Sequence, residues 1–234
     1  MTSQSRDAVT TPGGTVVDRQ LFVNHVGTFF LTSLLLPKVI AAGKNAPKGA
    51  TRIVNVASHG HRLSPIRFSD YAIQKGAFDV PDAEKPPAGA PEMWFKVDDE
   101  GYPGFIGYGQ SKGANILHVV ELNARLGKTG ANVLAVPVHP GTISTELSRS
   151  LNPEGKKAID GTAPGGVFKT LDQGAATTIV GAFDPKLSEA QVEGPLYLAD
   201  CQYNKERLAP HASDPAIAGR LWVETEKMLG VSCL

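Results

Sequence analysis

Apolar positions along this chain change their spacing several times, and each change marks an element. From about Val17 to Ala42, the residues Leu21, Val23, Val26, Phe29, Phe30, Leu34 and Leu35 cover most faces of a 3.6-residue period. That pattern predicts one long, largely buried helix, closed by Gly43 and Pro47. The run Arg52-Ile-Val-Asn-Val-Ala-Ser58 is short and β-branched, as expected of a buried parallel strand. A helix is expected from about Tyr108 to Leu126, stopped by Gly127 and Gly130, and a second buried strand from Asn132 to Val138 before Pro140-Gly141. Asp172 to Phe183 then reads as a helix, Pro195 to Leu198 as a third strand, and Pro215 to Leu229 as a last helix.

Two stretches carry no period. Residues 1–15 are polar and contain Thr11-Pro12-Gly13-Gly14, which predicts a loose N-terminal arm. Residues 59–107 hold Pro65, Pro81, Pro86, Pro87, Pro91 and Pro103, and predict a long irregular insertion that shapes a substrate pocket. Helices alternating with strands predict an α/β fold, a parallel sheet flanked by helices in a single domain over 1–234.

Composition narrows the function classes. With 41% hydrophobic and 20% charged residues the chain is ordinary for a soluble globular protein. Lys+Arg 23 against Asp+Glu 23 leaves no basic field, so neither nucleic acid nor an anionic membrane is an expected partner. Cys201 and Cys233 alone make no disulfide framework or paired-cysteine metal site. The apolar run Leu21 to Leu36 contains Asn24 and His25 and stops at Pro37, too short and too polar for a membrane span. A polar N-terminus without a signal peptide completes the expectation of a cytoplasmic protein.

The chemistry centres on Tyr108-Gly-Gln-Ser-Lys112, where a phenol and an ammonium four apart share one helix face. A nearby cation favours the phenolate, giving an acid/base group. A free phenol titrates near ~10 and each unit takes ~1.4 kcal/mol, so neutrality requires about 4 kcal/mol. Tyr71 and Lys75 have the same spacing, but Gly76 and Pro81 follow and no long helix can carry that pair. Ser58 sits at a strand's carboxyl end, where ligands of α/β folds bind. His59-Gly60-His61 has no acidic or cysteine partner at ligand spacing and reads as loop histidines, with no metal. The glycines at 101, 104, 107 and 109 follow no strand and predict a flexible loop, not a phosphate cradle. Phe29, Phe30, Trp94 and Trp222 read as core or pocket lining.

Asn24 in a helix, Ser58 at a strand end, Tyr108/Lys112 on the next helix and Pro140-Gly-Thr-Ile-Ser-Thr145 after the next strand occur in that order. Together they resemble the short-chain dehydrogenase/reductase family, over about Val17 to Leu229. Phe22 to Thr32 and His139 to Leu147 look most like its retinol-dehydrogenase-like branch. The resemblance implies a Rossmann-like fold and an oxidoreductase interconverting a carbonyl and an alcohol with NADP(H), or alternatively NAD(H). It makes Tyr108 the general acid/base and gives Ser58 the substrate oxygen. Lys112 would hold the nicotinamide ribose, Asn24 a water beside Lys112, and the Ile143 backbone and Thr145 hydroxyl the nicotinamide.

The chain departs from the family at its start, which is Met-Thr-Ser-Gln-Ser with no glycine-rich strand–turn–helix and no adenosine-ribose residue. At roughly 30 residues per βαβ unit, two or more units have no counterpart, so an N-terminally truncated, partial fold is expected. The Ile53 strand would then be a free sheet edge, and a homo-oligomer or a completing partner chain is expected. The branch, with Phe68, Phe78, Met93, Trp94 and Phe95, implies a bulky apolar small-molecule substrate, with a secondary-metabolite pathway as one expected setting. The alternatives are a cofactor-independent proton-transfer catalyst (an isomerase, dehydratase or cyclase) and a non-catalytic binding remnant.

Overall fold

A computed structural model describes residues 2–3, 5–190, 192 and 194–233. The expected loose arm is instead a β-hairpin, β1 (Ala8–Thr10) paired antiparallel with β2 (Val16–Asp18). Gly14 takes the left-handed conformation its turn needs (φ 85°), and the Gly13 amide donates to Met228 O at 2.7 Å. Thr2, Ser3 and Thr11 are buried, so the arm is docked; Met1 and Gln4 lie outside the described residues.

Helix α1 (Arg19–Gly43) starts directly after the hairpin, its first turn capped by Asp18, whose carboxylate accepts from Gln20 N at 3.0 Å. A π-helical turn over Phe22–Val26 turns Asn24, His25 and Val26 inward. The helix is not largely buried as its pattern suggested. Leu21, Val26, Phe29 and Leu36 are covered, while Val23, Phe30, Leu31, Leu34 and Leu35 are exposed, because only one of its faces packs on the body of the protein. Pro37 lies within the helix without ending it. By length and composition this helix is sufficient to cross a membrane, a property that the shorter run Leu21 to Leu36 concealed.

The main sheet has the order β3-β4-β5-β6. Strand β3 (Arg52–Val56) pairs in parallel with β4 (Leu134–His139), running from Arg52 opposite Leu134 to Val56 opposite Val138. Strand β3 is half-buried, because nothing pairs with its outer side among the described residues. The third strand is shorter and later than expected, β5 (Leu198–Ala199), parallel to β4. It turns through Asp200 and Cys201, both at positive φ (51° and 63°), into an antiparallel β6 (Gln202–Tyr203) that the sequence did not suggest.

Helix α2 (Gly104–Thr129) carries the Tyr108/Lys112 pair and ends at left-handed Gly130. It starts before Tyr108 and takes in Gly104, Gly107 and Gly109, which are buried helix residues and not a flexible loop. A side chain at Gly107 would lie 2.7 Å from the Tyr102 hydroxyl, and one at Gly109 2.9 Å from Gly60 O. Helix α3 (Pro153–Asp160), capped by Asn152, was hidden in a Pro/Gly-rich stretch. Helices α4 (Leu171–Phe183) and α5 (Pro215–Leu229) fall where expected, the first with a Thr170/Gln173 capping box and the second with Asp214 as its cap. The core is built around α2, with Leu117, Val119, Leu122 and Leu126 packed against α1 and α5.

Much of the irregular stretch 59–107 is anchored. Arg67 is fully buried, pairs with Asp70 at 3.2 Å and donates to Gly76 O at 2.9 Å. Tyr71 and Lys75 lie on turns with no helix between them. A buried network ties this stretch to the start of α1: the Tyr102 hydroxyl donates to Asp18 at 2.7 Å and accepts from Gln20 Nε2 at 2.7 Å. Gln20 also donates to Gly104 O at 2.9 Å, so the network holds the N-terminus of α2 as well. Tyr102→Phe leaves the buried Asp18 carboxylate without that donor. It should lower unfolding free energy by about 1–3 kcal/mol in urea titration, and an unchanged midpoint would show the network to be idle.

Candidate active site

Two residues beyond β3, Ser58 is extended (φ −161°, ψ 158°) and caps the short turn His59–Arg62, its hydroxyl oxygen accepting from Gly60 N at 3.1 Å. The same side chain lies close enough to the Tyr108 phenol to favour its ionised form. Gly60 makes the meeting possible: a Cβ there would lie 2.7 Å from the edge of the Tyr108 ring. Burial raises the phenol above its ordinary value, and the nearby Ser58 side chain opposes that only in part. The expected phenolate-favouring effect of Lys112 is thereby outweighed. Its ammonium is 5.8 Å from the ring centre and donates instead to Val56 O at 3.0 Å, with burial lowering its own value to about 8.

Ser58 and Tyr108 open onto a cavity of about 1470 Å³. Its walls come from the 83–94 stretch with Trp94, from α3 and its flanks with Leu147, Leu151 and Ile159, and from Phe168. Lys112 and Asn24 line a separate recess of about 290 Å³ between α1, α2 and the free edge of β3. The Asn24 side-chain amide donates to Ser111 at 2.9 Å, and Ser111 in turn to Tyr108 O at 2.8 Å. Ile143 and Thr145 lie on the large cavity's wall, after left-handed Gly141 (φ 95°). Ile143 bridges to Lys169 with its side chain packed on Gly174, and Thr145 accepts from Leu147 N at 3.3 Å. The fold therefore brings Ser58, Tyr108, Ile143 and Thr145 to one cavity and sets Lys112 and Asn24 beside it.

Sequence reasoning missed several supporting groups. Asn55, the one polar residue inside an apolar strand, donates to Asn115 O at 3.1 Å and to His118 Nδ1 at 3.3 Å, and that interruption was its signal. Asn115 shares the Val56 carbonyl with Lys112, at 3.2 Å, and its Oδ1 is buried without a partner. Lys169 bonds Asp200 at 2.6 Å beneath the Pro140-Gly141 turn, a contact between chain positions too distant for any local pattern. No metal-binding group of His, Cys, Asp or Glu occurs among the described residues.

The comparisons with known proteins agree with this frame. The chain is 31% identical over 225 residues to the Penicillium rubens short-chain dehydrogenase/reductase prx1, covering 92% of this chain and 57% of that protein. It is 33% identical over 209 residues to the chloroplastic short-chain dehydrogenase TIC 32 A of Brassica napus (88% and 55% covered). Against human retinol dehydrogenase 14 it is 32% identical over 215 residues (92% and 53%). The chain belongs to the short-chain dehydrogenase/reductase family. It spans little more than half the length of these curated relatives. A crystal structure of an uncharacterized Mycobacterium paratuberculosis protein shares the fold, with a TM-score of 0.51 at 20% identity, over 97% of this chain and 64% of that one. No family model matches the chain.

Burial depresses all six histidines: His25, His61 and His139 to about 3, His59 and His118 to about 4, and His211 below its ordinary value. A depressed imidazole contributes stability above its unfolded value near ~6.5, which is lost as pH falls toward the folded value. Asp18, pushed up to about 6 by burial, acts oppositely, stabilising below 3.8 and losing that contribution as pH rises through about 6. Six groups outweigh one, so the urea midpoint should fall steeply between about pH 7 and about pH 5. A flat or rising midpoint on acidification would contradict the neutral, buried histidines.

Proposed function

We propose that this site interconverts a carbonyl and an alcohol on a bulky, largely apolar small molecule, with NADP(H) as hydride partner and NAD(H) as the alternative. The carrying observation is the Tyr108 phenol beside Ser58, both on the wall of a cavity of about 1470 Å³. Raised above its ordinary value, the phenol is protonated at neutral pH, which suits a proton donor and hence the reducing direction. Ser58 would hold the substrate oxygen against that proton. Trp94, Leu151, Ile159 and Phe168 supply an apolar wall for the rest of the substrate.

At the nicotinamide end the residues fit a sugar-like, hydroxyl-bearing group. Lys112 and Asn24 line the smaller recess, and the unpartnered Oδ1 of Asn115 adds a buried acceptor there. Bound beside them, the reduced cofactor would supply a hydride to the carbonyl carbon while Tyr108 supplies the proton. A second reading is proton-transfer chemistry by Tyr108 and Ser58 without hydride transfer, because that pair faces the large cavity while Lys112 and Asn24 line a separate recess.

The setting is proposed on the same footing. We read α1 as a packed helix and not a membrane span, because Asn24 and His25 bond inward to Ser111 and Thr225 (2.9 Å each). The free edge of β3 lies between α1, with exposed Phe30, Leu31 and Leu34, and α4, with exposed Ile179 and Phe183. Such an edge supports pairing with a second copy or with a completing chain.

Titrating NADPH into the purified chain while following its fluorescence should give saturable binding. Carbonyl reduction should fall about 10²–10⁴-fold in Tyr108→Phe. Turnover that depends on Tyr108 without any NADPH binding would transfer the case to the second reading. Neither binding nor turnover would leave only a binding role.

A further inference from the structure

The His59-Gly60-His61 run takes no part in the reaction proposed above, yet His61 is fully buried beside it. Its Nδ1 is 2.6 Å from the Ser58 carbonyl, which can only accept, so Nδ1 carries the proton. Its Nε2 accepts from the Ala209 amide at 3.0 Å. These two bonds leave a single neutral tautomer. The ring also packs edge-on against Tyr197 at 5.3 Å, and the His61 carbonyl accepts from His211 Nε2 at 2.8 Å. The turn bearing Ser58 is thus joined to residues 209–211, which form another wall of the large cavity.

We propose that His61 is a positioning residue: by bridging the Ser58 carbonyl to the Ala209 amide, it holds the Ser58 hydroxyl beside the Tyr108 ring on the wall of the large cavity. The inference rests on Ser58 and Tyr108 being the reacting pair. The physical reason is that a serine hydroxyl has one short torsion, so its direction follows the backbone that carries it. Rotation of the Ser58–His59 peptide would swing that hydroxyl away, and displacements of about 1 Å at a reacting group cost up to about 10²-fold. The carbonyl on that peptide is the group His61 grips. His59 adds a second tie, its amide donating to His139 Nδ1 at 3.3 Å.

The test uses the full chain with tyrosines labelled by ¹³C at Cζ, the Tyr108 signal being identified by its loss in Tyr108→Phe. His61→Phe keeps a ring against Tyr197 and removes both nitrogens, and should move the Tyr108 signal. His61→Leu also removes both nitrogens and carries the test if the phenylalanine variant does not fold, whereas His61→Asn, which can still donate to Ser58 O, should move the signal less. The displacement caused by His61→Phe should vanish in a Ser58→Ala background, whereas a general loosening of the fold would persist there. An unmoved Tyr108 signal, or equal displacement with and without the serine hydroxyl, would overturn the proposal. Where reduction is measurable, His61→Phe should lower kcat about tenfold or more with KM within about twofold. Absent NADPH binding with the NMR result intact would sink the redox reading alone and leave the role of His61 standing.

Discussion

The carbonyl of Val56, the last residue of β3, accepts hydrogen bonds from two side chains of α2, Lys112 at 3.0 Å and Asn115 at 3.2 Å. One residue earlier, Asn55 reaches back to the Asn115 carbonyl and to His118. These bonds fix how far α2 slides along β3, and the site follows from that register. Two extended residues beyond Val56 advance the chain about 6.6 Å, and four helical residues back from Lys112 cover about 6 Å. The two paths end together, at Ser58 and Tyr108. Apolar packing of α2 alone would tolerate a shift of one turn, and the polar bonds at the end of the strand do not.

The same junction divides two spaces. On one side the phenol and the serine face a cavity large enough for a substantial apolar molecule, and on the other Lys112 and Asn24 face a small recess along the free edge of β3. Burial, more than charge, sets the protonation of this region. It holds the phenol protonated, draws Lys112 down to about 8 and keeps the surrounding histidines neutral. A neutral imidazole presents both a donor and an acceptor, and His61 uses each for a backbone group of a different chain segment. Protonation would turn its acceptor into a second donor facing the Ala209 amide, so low dielectric and hydrogen-bond geometry reinforce each other.

Several elements were legible because their determinants are local. The β-branched run at 52–56, the Pro215–Leu229 helix with its Asp214 cap, and the Tyr108-to-Lys112 spacing all depend on neighbours within a few residues. So did the rejection of Tyr71 and Lys75, since a glycine and a proline close by deny them a helix. The N-terminal hairpin was not legible: its turn is held by the Gly13 amide donating to Met228 O at the end of α5, far along the chain. The exposure of Phe30, Leu31 and Leu34 was equally hidden, because periodicity reports how apolar a face is and not whether another element covers it.

By itself, then, the sequence determined which residues could do chemistry and the order in which the chain presents them, since residue type and short spacing are properties of the chain. The tertiary structure alone decided the rest. It placed Lys112 on a backbone carbonyl, 5.8 Å from the centre of the phenol ring, raised the phenol where a nearby cation had promised to lower it, and made a loop histidine into a clamp on Ser58. Burial and hydrogen-bond partners are set by chain segments far apart in sequence, and those become neighbours only once the fold has formed.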